Sequence, residues 1–245
     1  YGLVGSEMCI RDRDNISLAQ TSIIYYTDPK TGEYHELQQL YGTENRIWVS
    51  YDDIPLDLVH AAISIEDKRF PTHKGVDWIR TLAAVKGFAG GSSSFGGSTI
   101  TQQLIKNNVL TSWTSETSFV EKLQRKIQEQ YLALELEKQV NDKDWILENY
   151  MNSVNLGANT LGVQAASKKY FNKDVSELTL SEASVIAGIT QNPSGYNPIT
   201  HPDKNAKRRE KVLNNMKDQG YISKAQYDEA MADAVSYTHL TLPTI

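Results

Sequence analysis

The hydrophobic and polar positions of residues 53–235 follow a helical period along most of their length. From DIPLDLVHAAI onward, apolar residues recur every three or four positions, which is typical of amphipathic helices. Before them, β-branched and aromatic stretches at 16–26 and 46–51 flank the turn-forming segment TDPKTGEY. The pattern therefore predicts a mainly α domain over 53–235, preceded by a minor β element and linker over 14–52.

Several helix boundaries can be predicted from local signals. Thr99 and Gln102 have the spacing of a capping box, so a helix is expected to begin near Thr99. Asn141 is the expected N-cap of a later helix that stops before Gly157. Residues 87–97 are rich in glycine and serine, and we predict that they form a mobile loop.

A glutamate interrupts the apolar face of the first predicted helix. On a helical wheel, Glu66 falls near the centre of an apolar arc formed by Leu58, Val59, Ala62, Ile63, Ile65 and Phe70. One interpretation is that the helix ends at Ile65 and Glu66 points into water. The other is that Glu66 lies at the wall of a cleft, where a carboxylate suits the role of a general base.

The helix that begins near Thr99 has the features of an anion site. Its first turn offers backbone N–H groups and hydroxyls, the glycines before it allow close approach, and Lys106 adds charge two turns later. A well-capped helix with no ligand explains the same pattern.

Residues 118–138 predict a long amphipathic helix. Arg125, Lys126 and Glu129 share one arc. That arc is either a solvated, ion-paired face or a cationic surface for a diphosphate. The apolar stripe lies opposite and consists of Val120, Leu123, Ile127, Tyr131 and Leu134.

Composition excludes some classes of function and leaves the rest open. The 245 residues carry a formal net charge of −5, which argues against a general nucleic-acid surface. The single cysteine, Cys9, cannot form an internal disulfide, and there is no apolar run of membrane-spanning length. Residues 1–13 and 236–245 lack periodicity and caps, and we predict that they are non-native tails of a fragment.

Five blocks follow one another along the chain: EDKRFPTHKG, GGSTITQQLIKN, RKIQEQYLALELE, KDWILENYMNSVNLG and RREKVL. Together they resemble the glycosyltransferase domain of class A penicillin-binding proteins, glycosyltransferase family 51. The segment between Asn107 and Arg125 is longer than expected for this family, and Met151 stands where leucine is usual. The resemblance covers roughly residues 20–232 and implies a lysozyme-like α-helical domain over 53–235 with a smaller membrane-proximal lobe.

The resemblance also implies a reaction, the polymerisation of lipid II into β-1,4-linked glycan strands with inversion and release of undecaprenyl diphosphate. Glu66 matches the family's catalytic glutamate and would act as general base, and Glu129 would orient cations or stabilise charge on the donor sugar. A supporting motif comprises Asp67, Phe70, His73 and Gly75. The predicted diphosphate-binding residues are Ser98, Thr99, Gln102, Gln103, Lys106, Asn107, Arg125 and Lys126.

The expected setting is the outer face of the bacterial cytoplasmic membrane. Expected partners are lipid II, the growing glycan strand and the membrane surface, with a C-terminal transpeptidase domain in the full-length protein and no nucleic acid. His73 has no nearby partner at metal-ligand spacing, so no tightly bound metal or cofactor is expected, although a divalent cation could accompany the substrate diphosphate. The alternatives are a lysozyme-like lytic enzyme and a non-catalytic cell-wall scaffold.

Overall fold

The computed structural model describes residues 22–27, 34–40, 45–89, 97–110 and 118–235. α-Helices make up most of these ranges, which confirms the prediction of a mainly α fold. The predicted tails, 1–13 and 236–245, lie outside the described residues. The helices are α1 (Leu56–Glu66), α2 (Trp78–Ala89), α3 (Ile100–Asn108), α4 (Phe119–Val140), α5 (Lys143–Ser153), α6 (Val163–Phe171), α7 (Leu180–Ile189), α8 (Pro202–Asp218) and α9 (Lys224–Ala232).

The N-terminal part contains the predicted β element, but its strands have other bounds than the stretches 16–26 and 46–51 predicted from sequence. β1 (Ser22–Thr27) pairs antiparallel with β2 (Tyr34–Leu40), and the register shifts between Ile24 and Tyr25. β3 (Asn45–Arg46) pairs in parallel with β4 (Thr160–Leu161).

The strand predicted over 46–51 is wrong beyond Arg46. Side chains of α5 bond the backbone here in place of a partner strand. The Asn152 amide accepts from the Val49 N–H at 2.9 Å and donates to the Val49 carbonyl at 2.8 Å. The Glu148 carboxylate accepts from the Tyr51 N–H at 2.9 Å.

Helix α7 is the centre of the main core. Every residue from Ser181 to Ile189 is buried, and the helix packs against both α1 and α8. Its N-cap Thr179 forms the predicted capping box with Glu182. A helix that is apolar on most sides needs neighbours all round, and this one brings the C-terminal ends of α1 and α7 together.

A smaller apolar cluster joins α3 to α4. Its buried members are Val76, Ile105, Leu132 and Ala133. Gly75 has a positive φ of 85°, and a Cβ added there would lie 2.3 Å from the carbonyl oxygen of Ala133. The chain can therefore pass beneath α4 only because this position is glycine.

The pattern of α4 most simply predicts a buried apolar stripe and a solvated charged arc, and the structure shows the reverse for most of the stripe. Val120, Leu123, Ile127 and Tyr131 of the apolar stripe are exposed, Ile127 by 60%. Glu129, on the charged arc, is completely buried. The charged arc can face inward because its own cations neutralise the carboxylate within the helix.

Two predicted boundaries are corrected. Helix α2 continues through Gly87 to Ala89, because one glycine in a helix interior costs only about 1 kcal/mol. The mobile loop predicted over 87–97 therefore cannot begin at Gly87, and its residues 90–96 lie outside the described ranges. Asn141 ends α4 in the left-handed conformation, which asparagine tolerates, and Asp142 caps α5 instead.

Candidate active site

Glu66 is the last residue of α1 and is only 8% exposed. Its Oε1 accepts a hydrogen bond from the Thr190 hydroxyl at 2.6 Å, and its Oε2 accepts one from the Gln103 amide at 3.0 Å. The Arg208 guanidinium lies 3.8 Å from Oε1. Of the two interpretations of this carboxylate, the structure therefore agrees with a cleft wall.

The cleft beside Glu66 has a volume of about 920 Å³. Residues from α1, α2, α3 and α8 line it, together with the segments that precede α3 and follow α7. Asp218 is the other carboxylate in its lining, so cations predominate and the cavity suits an anionic ligand. The cationic side chains in its lining are Lys68, Arg69, Arg80, Lys106, Arg208 and Lys211.

Ser98 connects this cavity to the cations of α4. This residue lines the cavity, and its hydroxyl accepts from the Lys126 ammonium at 2.7 Å. Lys126 also bonds Glu129 Oε2 at 2.6 Å, and Arg125 donates to Glu129 Oε1. Both oxygens of this buried carboxylate are therefore engaged with cations.

Lys106 stands between the cavity and α4. Burial lowers the pKa of its ammonium group, and the neighbouring charges of Lys126 and Arg125 act in the same direction against the opposing effect of Glu129. We call Lys106, Arg125 and Lys126 the cationic shelf.

The N-terminus of α3 already holds an anion from the protein itself. The Ile100 N–H donates to Asp67 Oδ2 at 3.0 Å, and His73 Nε2 lies 2.8 Å from the same oxygen. A carboxylate at this position satisfies a free N–H and the helix dipole. It occupies a donor on which the predicted anion site depended.

The side chains of Thr99 and Gln102 build the end of α3 rather than the cavity wall. Gln102 Oε1 accepts from the Thr99 N–H, while the Thr99 hydroxyl accepts from the Gln102 N–H and bonds the Gly75 carbonyl at 2.7 Å. Both are fully buried, so their predicted contact with a diphosphate has no support in this geometry. Asn107 is partly buried on α3 and is not among the residues that line the cavity.

Two buried aromatic residues, Phe70 and Tyr150, pack next to the residues of the site. Phe70 is buried, with the edge of His73 on one side and the Lys143 ammonium 4.2 Å from its ring centroid. The Tyr150 hydroxyl donates to Gln103 Oε1 at 3.4 Å. Burial raises the pKa of Tyr150 well above its ordinary value, and the nearby charge of Glu66 acts in the same direction.

Comparison with known proteins decides the family. The model of a family described as Transglycosylase matches residues 33–217. The chain belongs to the transglycosylase family. This confirms the recognised resemblance and the predicted enzyme class, a peptidoglycan glycosyltransferase domain of the kind found in class A penicillin-binding proteins.

Curated relatives are penicillin-binding proteins. The chain is 42% identical over 228 residues to penicillin-binding protein 1A of Clostridium botulinum, covering 89% of this chain and 26% of the relative. It is 47% identical over 189 residues to penicillin-binding protein 1F of Bacillus subtilis, covering 77% of this chain and 25% of that protein. The transglycosylase chain thus spans about a quarter of the length of these relatives.

A solved structure is also similar. A crystal structure of penicillin-binding protein 1A from Haemophilus influenzae aligns with a TM-score of 0.49 and 26% identity, covering 91% of this chain and 22% of that one.

Three residues that contact Glu66 in this transglycosylase domain were absent from the predicted site. Arg208 lies in the RREKVL block, so the resemblance contained a signal for it. Arg80 donates from α2 to the backbone carbonyl of Glu66, and only its charge marked it in the sequence. Thr190 lies in the segment LSEASVIAGITQNPSGYNP, which also resembles the family, but nothing in that segment marks this threonine as a partner of Glu66.

Two kinds of feature are absent from the described residues. In this part of the transglycosylase chain, no cluster of three or more histidine, cysteine, aspartate or glutamate side chains is placed to hold a metal ion. Nor does any helix within the described ranges have both the length and the apolar character needed to span a bilayer.

Proposed function

We propose that this domain polymerises lipid II into β-1,4-linked glycan strands, with Glu66 as the general base and inversion at the anomeric carbon. One observation above all supports the proposal. A sheltered carboxylate, Glu66, shares its cavity with Lys106 and with Ser98, which accepts a hydrogen bond from Lys126 of α4. A base and a diphosphate site are the two elements that this reaction needs.

In the proposed reaction, the acceptor sugar gives the proton of its 4-hydroxyl to Glu66. The oxygen forms a bond to the anomeric carbon of the donor sugar from the face opposite the leaving group. The bond from that carbon to the diphosphate oxygen breaks, and undecaprenyl diphosphate departs with the electron pair. Hydrogen bonds from Thr190 and Gln103 hold both oxygens of Glu66 in place for the proton transfer.

The leaving group needs positive charge more than it needs an acid, because it departs as a diphosphate. The cationic shelf, with the Ser98 hydroxyl, would provide that charge in a site already organised before the substrate binds. Glu129 is engaged by Arg125 and Lys126 through both oxygens, which favours a role in fixing the shelf over proton transfer. A divalent cation, where present, would be bound mainly by the substrate's own diphosphate.

The alternative lytic reaction fits this cavity less well. A glycan hydrolase needs a carboxylic acid to protonate the glycosidic oxygen and has no diphosphate to neutralise. The predominance of cations around Glu66 is therefore unexplained by cleavage and expected for synthesis from a lipid-linked donor.

A surface on α2 supports the predicted contact with the membrane. Trp78, Ile79 and Leu82 are all more than half exposed, with Ile79 at 69% and Leu82 at 67%. Apolar side chains of this kind insert into the interface between lipid headgroups and acyl chains. The site opens beside this surface, since Ile79 also lines the cavity, so the lipid tail of the substrate could remain in the bilayer.

Liposome flotation tests this surface. The double variant Ile79→Gln with Leu82→Gln should partition less than the parent chain. Leu56→Gln, which changes a 63% exposed leucine at the far end of α1, is the matched control and should partition like the parent. Equal flotation of the double variant and the parent would reject the surface.

The whole protein is proposed to act at the outer face of the cytoplasmic membrane, with an anchor and a transpeptidase domain. This extension depends on the similarity to penicillin-binding proteins, of which the chain spans about a quarter. Covalent labelling of the intact protein by a fluorescent penicillin, which acylates a transpeptidase nucleophile as its β-lactam ring opens, would test for that domain, and absence of labelling would count against it.

Two parallel incubations test the reaction itself. With lipid II, the chain should produce polymer and undecaprenyl diphosphate, while with purified sacculi it should release no soluble fragments. Glu66→Gln is the control, and its rate should fall by about 10²–10⁴-fold because proton transfer is lost. Cleavage of sacculi without polymer from lipid II would favour the lytic alternative.

A further inference from the structure

Thr190 directly follows α7, and its side chain lies between two acceptors. The hydroxyl oxygen is 2.6 Å from Glu66 Oε1 and 2.9 Å from the carbonyl oxygen of Ala187. A threonine hydroxyl has one proton and can donate to only one acceptor at a time. The two contacts are therefore alternative donor bonds.

Each acceptor needs a donor for its own reason. The Ala187 carbonyl is among the last four of α7, which have no partner within a helix that ends there. The Glu66 carboxylate is charged when ionised, and a hydrogen bond to a charged acceptor is about twice as strong as one between neutral groups. The Thr190 hydroxyl should therefore donate its hydrogen bond to Glu66 when the carboxylate is ionised. It should donate to the Ala187 carbonyl when the carboxyl group is neutral.

The other oxygen of Glu66 faces a different kind of donor. Gln103 donates to Oε2, and the opposite end of its amide accepts from Tyr150 at 3.4 Å. Turning this amide over would place its oxygen against the ionised carboxylate, which can only accept, so Gln103 stays a donor to Oε2. Of these two hydrogen-bond partners in the described part of the chain, Thr190 is the one with a second acceptor within reach, the Ala187 carbonyl.

We propose that Thr190 is a positioning residue for the base. Its hydroxyl donates to Glu66 Oε1 while the carboxylate is ionised, and it turns to the Ala187 carbonyl once Glu66 has taken the acceptor's proton. The transferred proton stays on Glu66, and the proton of Thr190 changes only its hydrogen-bond partner. This role rests on the proposed function, in which Glu66 is the base.

Other charged and titratable groups also face Glu66 and influence its protonation. Arg208 approaches from α8, Arg80 from α2, Lys106 from α3 and Tyr150 from α5. Further charged side chains in the cavity lining are Lys68, Arg69, Lys211 and Asp218. All of them remain when only the hydroxyl of Thr190 is removed, so a change specific to that hydroxyl can be measured.

The test compares Thr190→Val, which replaces the hydroxyl by a methyl group, with Thr190→Ser, which keeps it. In the pH profile of kcat/KM for lipid II, the acidic limb of the valine variant should lie at a pH higher by about one unit than the parent's. The reason is that a hydrogen bond to the ionised base is lost. Its kcat should fall by about tenfold. The serine variant should keep the parent's limb.

Ser184→Ala is the matched control. Ser184 lies on the same helix, and its hydroxyl bonds the Leu180 carbonyl at 2.8 Å without reaching Glu66. This variant should leave the acidic limb unchanged, which separates a local effect on the base from a general effect on α7.

The proposal is overturned if Thr190→Val keeps the parent's acidic limb, or if the serine variant moves it as far as valine does. If circular dichroism shows that the valine variant is unfolded, Thr190→Ala is compared with Thr190→Ser instead. Glu66→Gln distinguishes a failure of the role proposed for Thr190 from a failure of the proposed function. If it is inactive while the limb does not move, only the role of Thr190 fails, and if it is active, the proposed function fails as well.

Discussion

Replacing Asp67 by alanine is expected to disconnect the base from the cationic shelf. Asp67 directly follows Glu66 and is only 1% exposed. Its Oδ2 holds the Ile100 N–H at the start of α3 and lies within hydrogen-bond distance of His73. Because α3 carries Lys106, this carboxylate holds the end of α1 at a set distance from the shelf, together with the hydrogen bond from Gln103 to Glu66.

The expected loss of stability follows from the two buried contacts. A hydrogen bond to a charged group contributes about 1.5–3 kcal/mol, and breaking a buried charged network costs about 3–5 kcal/mol because partners remain unpaired. Asp67→Ala should therefore lower the free energy of unfolding by about 3–5 kcal/mol. Asp67→Asn retains an oxygen without the charge, so it should lose about half as much.

Urea denaturation followed by circular dichroism measures the stability, and turnover of lipid II by the folded fraction measures the site. Turnover should fall by about tenfold or more, because a displacement of about 1 Å between reacting groups can cost far more than that. Asp174→Ala is the control. It removes a partly exposed cap outside the cavity, so it should cost about 0.5–2 kcal/mol and leave turnover unchanged. Unfolding of Asp67→Ala within about 1 kcal/mol of the parent, with normal turnover, would refute the reasoning.

Three other substitutions test separate parts of the site. Lys126→Glu places a second carboxylate beside Glu129, so steady-state kinetics should show a higher KM for lipid II and a lower kcat, and unchanged kinetics would remove Lys126 from the diphosphate site. Burial lowers the pKa of Lys106, so the alkaline limb of kcat/KM should lie at a lower pH than it would for an exposed lysine. Lys106→Arg should move that limb to higher pH, because arginine stays charged. An alkaline limb that does not move would show that Lys106 does not set it. Gly75→Ala should lower the free energy of unfolding by at least about 2 kcal/mol in urea, and an unchanged midpoint would contradict the close approach of Ala133.

The local features of the fold could be predicted from sequence because their causes lie within a few residues. The capping boxes at Thr99 and Thr179 each depend on a glutamine or glutamate three positions later, and both helices begin where predicted. The orientation of α4 could not be predicted in this way. Its apolar and charged arcs are both continuous, and the charged arc is buried because Ser98 and Lys106 meet it from distant parts of the chain.

The candidate site was predictable to the extent that it follows ordered motifs. Glu66, Ser98 and Lys106 belong to blocks that resemble one family, and the structure brings all three to one cavity. Thr190 depends on the meeting of two helix ends, which no local pattern encodes. Thr99 and Gln102 were assigned to the ligand, but the same side chains are needed to cap the start of α3.

In the proposed reaction, Glu66 removes a proton while other groups bind the donor. The most direct measurement compares Glu66→Gln with the parent chain for both binding of lipid II and single-turnover formation of the glycosidic bond. Binding should stay within about threefold of the parent, while bond formation should slow by about 10²–10⁴-fold. Bond formation at the parent's rate in Glu66→Gln would contradict the account.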